Sequence, residues 1–183
     1  MENILEELLI EKCRRGEQEA FRELVKIYRR QLYSYLWRLT GDRMQAEDAF
    51  QETLIKVWKA IGKYDHKDRF SSWLFSIAHN AAMDSIRKDN KRKSLIQSDE
   101  IDMHSSESNP YTECVGSELK EILDRIIAGL PEKQKQVFLL REHSGMSFKE
   151  ISLTTGESLN TVLGHMHYAV DKIKRALRKK NAI

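Results

Sequence analysis

The run Phe70-Ser-Ser-Trp-Leu-Phe-Ser-Ile-Ala-His-Asn-Ala-Ala-Met-Asp-Ser-Ile-Arg87 carries side chains suited to handling a nucleic acid. Trp73, Ser76, Asn80, Asp84 and Arg87 recur at helical spacing on one side, opposite Leu74, Ile77, Ala78 and Ala81 at i, i+3, i+4, i+7. A flat ring beside amide, hydroxyl and guanidinium groups, with Phe70 just ahead of the helix, is what stacking on unpaired bases requires. Arg87, Lys88, Lys91, Arg92 and Lys93 follow as a basic run suited to phosphates. An ordinary core tryptophan beside a lysine-rich helix end satisfies the same spacing. Both readings stand on these residues alone.

Two other faces carry chemistry. Around Met44 to Ile61, the buried stripe is Ala46, Phe50, Leu54, Val57, Trp58 and Ile61. Opposite it lie Asp48, Gln51, Glu52, Ile55 and Lys59, an acidic face with an isoleucine at its centre. Such a face suits docking of a basic partner helix, though a solvated face with one stray isoleucine reads the same way. Near the C-terminus a short helix, a glycine-containing turn and a longer basic helix have helix-turn-helix form. The second helix would place Ser158, Asn160, Thr161, Gly164, His165 and Tyr168 at base edges, with Lys172 behind them; similar helix pairs also occur in proteins that never touch DNA.

No nucleophile, phosphate loop or acid–base pair stands out. Glu47, Asp48 and Glu52 form the tight carboxylate group, and a docking face explains them better than catalysis. His165 and His167 diverge by about 200° on a helix, and His79 and His143 show no partner spacing. No metal site and no cofactor is predicted.

The elements that must position these residues are helical. The chain has 183 residues, 40% apolar and 32% charged, enough for one ordinary domain or two small ones. No run approaches the ~20 apolar residues of a membrane span. The opening Met-Glu-Asn-Ile-Leu-Glu-Glu lacks the basic stretch of a secretory signal, and Cys13 and Cys114 are too few for a disulfide framework, so a cytoplasmic protein is expected. The net charge is only +3, but Lys172, Lys174, Arg175, Arg178, Lys179 and Lys180 make a second basic zone. Between Ser94 and Leu119 there is no Lys or Arg. Two basic zones flanking an acidic stretch suggest two contacts with a polyanion.

With two prolines, eight glycines and no convincing alternation, the fold class is all-α. The periodicity predicts helices over Glu2–Arg14, Glu17–Leu39 and Met44–Ile61, then a polar loop from Gly62 to Arg69 leading into the Phe70 helix. Ile4, Leu5, Leu8 and Leu9 should form the apolar stripe of the first. A second domain starts near Glu113 with a long amphipathic helix stopped by Gly129 and Pro131, followed by a helix to His143. Ser147-Phe-Lys-Glu150 is a capping box opening a two-turn helix with Ile151 and Leu153 inward, and Ser158 caps a last helix reaching Lys179. The predicted organisation is therefore two small helical domains, 1–93 and 113–183, joined by a flexible acidic linker, 94–112. The linker is either a plain spacer or an acidic tether able to lie in a basic channel.

Taken together, these stretches resemble the extracytoplasmic-function (ECF) family of bacterial σ factors over nearly the whole chain. Ala46-Glu-Asp-Ala-Phe-Gln-Glu-Thr53 with Val57-Trp58 looks like region 2.2. Phe70 to Asn80, with Asp84 and Arg87, looks like regions 2.3 and 2.4. Leu130-Pro-Glu-Lys-Gln-Lys-Gln-Val-Phe138, Gly145-Met-Ser-Phe-Lys-Glu-Ile151 and Thr161-Val162 look like region 4. The resemblance implies that Asp48, Gln51, Glu52 and Ile55 dock on the β′ clamp helices of core RNA polymerase. It implies that Lys63, Tyr64, Arg69, Phe70, Trp73, Ser76, Asn80, Asp84, Arg87 and Lys88 melt and read the −10 promoter element, where a base leaves the stack for a protein pocket. Ser158, Asn160, Thr161, Gly164, His165, Tyr168 and Lys172 would read the −35 element in the major groove beside the β flap. A cognate anti-σ factor is a further implied partner, and membrane insertion is not. One departure stands out: where the family carries a basic pattern after Thr-Val, this chain has Leu163-Gly164-His165, then Tyr168. A stand-alone helix-turn-helix regulator would leave the Asp48/Gln51/Glu52 face and Trp73 unexplained, whereas a scaffold that binds only proteins predicts that Arg87→Ala and Trp73→Ala leave function intact.

Overall fold

Helix boundaries follow local chemistry. The computed structural model describes residues 2–65, 69–95 and 118–180, and their regular structure is helical throughout. In chain order the helices are α1 (Glu2–Arg14), α2 (Gln18–Thr40), α3 (Arg43–Ala60), α4 (Phe70–Leu95), α5 (Glu118–Ala128), α6 (Glu132–Ser144), α7 (Phe148–Thr155) and α8 (Leu159–Lys180). A 3-10 turn occupies Ile61–Lys63. The all-α class holds. Most of the expected linker, residues 113–117 of the expected second domain, and His66 to Asp68 of the loop lie outside the described residues.

Gly41 ends α2 in the left-handed conformation (φ 70°), and its N–H donates to the Trp37 carbonyl at 2.9 Å. Asp42, directly after it, opens α3: its carboxylate accepts from the Gln45 N–H at 2.8 Å. The predicted capping box forms, with Glu150 N–H donating to Ser147 Oγ at 3.2 Å and Ser147 N–H to Glu150 Oε2 at 2.6 Å.

α1, α2, α3 and α4 pack as one bundle, and α5 to α8 as a second. In the first, Leu24, Leu32 and Leu36 of α2 meet Ala46 and Val57 of α3 and Leu74, Phe75 and Ala78 of α4. Two expectations are corrected, and one helix proves longer than the stretch first considered. Ile4, Leu5 and Leu8 remain exposed; of the expected stripe Leu9 is buried, joined by Ile10 and Cys13, because only the C-terminal half of α1 lies in the core. Leu153 is exposed while Ile151 is buried, since residues two apart point to opposite sides of a helix. α4 continues beyond Arg87 to Leu95, so the basic run belongs to the helix itself.

The two bundles also pack on each other, α2 and α4 against α6, α4 against α7, and α2 against α5. Tyr35 of α2 stands where three helices meet. Its ring is wholly buried, lies edge-on to Phe75 of α4 at 5.2 Å and to His143 of α6 at 5.9 Å, and its hydroxyl is 2.9 Å from His79 Nδ1. Burial, then the charges of Lys133 and Arg87, hold the His79 imidazole at about 4; burial, then Arg38, does the same for His143. Both are neutral in the folded chain at pH 7.

Unfolding frees both imidazoles to bind protons below their ordinary value of 6.5, which the folded state resists down to about 4. Their contribution is therefore complete above pH 6.5 and lost progressively as the pH falls toward 4, at most on the order of 3 kcal/mol each. Urea midpoints should be level between pH 7 and 8 and fall steadily through that window; a level profile down to about pH 4.5 would contradict neutral burial of both rings.

Candidate nucleic-acid and polymerase interface

α4 presents the candidate single-strand face, and its aromatic part is built differently from the expectation. Phe70 is the first residue of α4 and only 3% exposed, and Tyr64 is 6% exposed. With Tyr28 and Trp73 they form a nest of rings: Tyr28–Phe70 5.6 Å, Tyr64–Phe70 5.5 Å, Tyr64–Trp73 5.0 Å and Phe70–Trp73 5.5 Å. Phe70 and Tyr64 therefore do not offer a face to a base as the chain is folded. They back Trp73, which is half-buried and forms the outer edge of the nest.

Along the rest of the helix, Asn80, Arg87 and Lys88 are exposed, as is Lys63 in the 3-10 turn. Asp84 lies 3.5 Å from Arg87 and 4.0 Å from Lys56, and Lys56 is 2.8 Å from Glu52. Lys56 was not singled out in the sequence, yet it links the acidic face of α3 to the polar face of α4. These ion pairs are partly open to solvent and contribute little stability, so their effect is to orient the side chains.

On α3, Asp48 and Gln51 are exposed, Glu52 is half-buried against Lys56, and Ile55 is 55% exposed. The four share one side as expected. Met44, exposed one turn before Asp48, extends the stripe; its i−4 position was the signal that could have found it.

On the helix-turn-helix pair, Val162, Ala169 and Ile173 fix α8 to the second bundle. Ser158 Oγ accepts from the Thr161 N–H at 3.1 Å and lies 2.8 Å from Thr161 Oγ1. Both expected base contacts are thus engaged in the helix cap. Asn160, Tyr168 and Lys172 are exposed, Gly164 and His165 half-buried, and Lys172 donates to the Gly129 carbonyl at 2.9 Å. The outward surface also includes Leu159, Leu163 and His167, which were not among the candidate readers.

The second bundle covers part of the α4 face. Ser76 Oγ is 2.9 Å from Thr154 Oγ1 of α7, Arg69 donates to the Gly145 carbonyl, and Ser71 Oγ donates to the Ser144 carbonyl at 3.4 Å. Gly145 suits its place: its φ is +66°, which favours glycine, and a Cβ there would sit 3.3 Å from the tip of the Arg69 side chain, which would have to shift slightly. Nearby, Arg38 pairs with Asp124 at 2.7 Å and donates to His143 Nε2 at 3.1 Å, while Gln31 donates to the His143 carbonyl. Arg38 can only donate, so Nε2 of His143 must be unprotonated, in keeping with its lowered pKa.

The comparisons with known proteins divide the chain at the same place. Residues 24–92 match the family model for Sigma-70 region 2, and residues 120–179 match that for Sigma-70, region 4. The chain is similar to the ECF RNA polymerase sigma factor SigW of Bacillus subtilis (strain 168), 31% identical over 179 residues that cover 93% of this chain and 94% of that one. It is 29% identical over 182 residues to the ECF RNA polymerase sigma-E factor of Escherichia coli (strain K12), covering 94% of each chain. Its fold is similar to the sigma factor RpoE solved with the anti-sigma factor NepR from Bartonella quintana, with a TM-score of 0.73, 20% identity and coverage of 86% and 96%.

The contacts between bundles make a direct prediction. Arg38→Glu puts a carboxylate beside Asp124 and removes the bond to His143, shifting the closed-to-open balance of the bundles by roughly ten-fold. Small-angle scattering should show a larger radius of gyration, and adding Asp124→Lys should reverse it. An unchanged radius would show that this contact does not hold the bundles together.

Proposed function

Because the chain belongs to the extracytoplasmic-function family of RNA polymerase sigma factors, and so serves core polymerase as a promoter-directed initiation factor, we propose how its faces divide that work. α3 is the polymerase-docking element. Its outward stripe of Asp48, Gln51, Glu52 and Ile55 joins negative charge to one apolar anchor, the pattern that fits a basic helix such as those of the β′ clamp. α4 is the −10 reader. The observation that carries this is the ring nest beneath Trp73: three buried or half-buried aromatics hold one ring edge in a fixed position beside Asn80 and the cations Arg87 and Lys88. A base that leaves the duplex gains a preorganised stacking partner there, and its phosphates gain nearby cations.

α8 reads the −35 element in duplex form, with the polymerase β flap as the neighbour of its bundle. The role asks for no covalent chemistry from the chain. It is cytoplasmic, where promoter DNA and polymerase are. An anti-σ factor is a fitting regulator, as the fold neighbour was solved with one. In the described arrangement Ser71, Ser76 and Arg69 are engaged by the second bundle, so the bundles part before single-stranded DNA reaches that end of α4.

Separate variants test the separate faces. Glu52→Lys should weaken binding to core polymerase by at least ten-fold in gel-filtration or anisotropy titrations, because it reverses one charge at the docking centre. Trp73→Ala should bind core normally yet lose about ten-fold in permanganate-detected promoter opening, the worth of one stacked base. Normal core binding by Glu52→Lys would move docking away from α3, and normal opening by Trp73→Ala would remove the stacking role.

A further inference from the structure

We infer that α8 selects thymine in the major groove by contact of Leu159 and Leu163 with the C5-methyl group; this rests on the −35 reading of α8. Between Leu159 and Val170 there is no Lys, Arg, Asp or Glu. The outward surface of these turns instead carries Leu159 at 45% exposure, Leu163 at 42% and Tyr168 at 62%. Leu159 and Leu163 are one turn apart and so form a single apolar ridge. The packing of the two bundles leaves that ridge open while it covers part of α4.

The major groove offers one apolar group, the thymine methyl; guanine, adenine and cytosine present acceptors or donors there. A leucine against those polar edges strips their water without replacing its hydrogen bonds, whereas against a methyl it buries apolar surface. Asn160 lies beside the ridge and is exposed, and its carboxamide matches the N6 and N7 pattern of adenine. A side chain added at Gly164 would project into open space, so its absence leaves room for a base pair to approach the helix backbone next to Leu163. The Ser158 cap and buried Val162 fix the rotation of this first turn. Phosphate attraction is displaced to the C-terminal half of the same helix, where Lys172, Lys174, Arg175, Arg178 and Lys179 are exposed. Those cations on the same element favour DNA over a protein as the occupant of the ridge.

The test uses holoenzyme assembled from core polymerase and the full chain, with a duplex pool randomised across the −35 window. Selection should return fixed A·T pairs. Replacing the selected thymines with deoxyuridine, which removes only the methyl, should weaken binding by about four-fold per methyl, the equivalent of one buried carbon group. The double variant Leu159→Ala with Leu163→Ala should bind the thymine and uracil duplexes alike, and Leu159→Met with Leu163→Met should keep the difference. A selected element whose thymines tolerate uracil would overturn the methyl contact and leave the −35 reading standing. A window with no selected bases would overturn the −35 reading itself, and the ridge would then belong to a protein partner.

Discussion

A buried tyrosine ties the two halves of the molecule to each other. Tyr35 reaches His79 with its hydroxyl and touches Phe75 and His143 with its ring, so one side chain of α2 sets the position of both α4 and α6. The contact demands uncharged imidazoles, because a cation beside a fully buried ring would lack the water it needs. From this joint the other features follow. α4 is held with Leu74 and Ala78 inward and Asn80 outward, and α6 brings Ser144 and Gly145 over the start of α4.

Among the described residues, the polar contacts that join the bundles are individually modest, each worth about 1 kcal/mol once its own hydration is counted. Arg38–Asp124 is partly solvent-exposed, and Ser76–Thr154 is a neutral hydroxyl pair. Apolar burial adds to them, because residues of both bundles, among them Tyr35, Phe75, Val137 and Leu140, belong to one hydrophobic core. By contrast, the ring nest around Phe70 lies inside the first bundle and survives any separation.

Much of this was legible in the sequence. Period-3.6 apolar patterns located the eight helices among the described residues, and Ser147/Glu150 and Ser158 announced their caps because such signals depend on residues three apart. The acidic stripe of α3 was readable for the same reason. What the sequence hid lies at long range. His79 and His143 showed no spacing to any partner because their common neighbour, Tyr35, lies 44 residues from His79 and on the other side of the linker from His143. Phe70 and Tyr64 looked like surface rings, since periodicity cannot tell that the turn after α3 folds them back on Tyr28. Ser158 and Thr161 fitted base contacts by position, but a cap competes for the same hydroxyls, and locally it wins.

The role as a sigma factor is tested most directly by run-off transcription on a pool of promoters, with core polymerase alone and with this protein added. A sigma factor predicts new start sites that appear only in its presence and share two conserved elements at fixed spacing upstream. An unchanged set of transcripts, together with no co-elution with core polymerase, would contradict it.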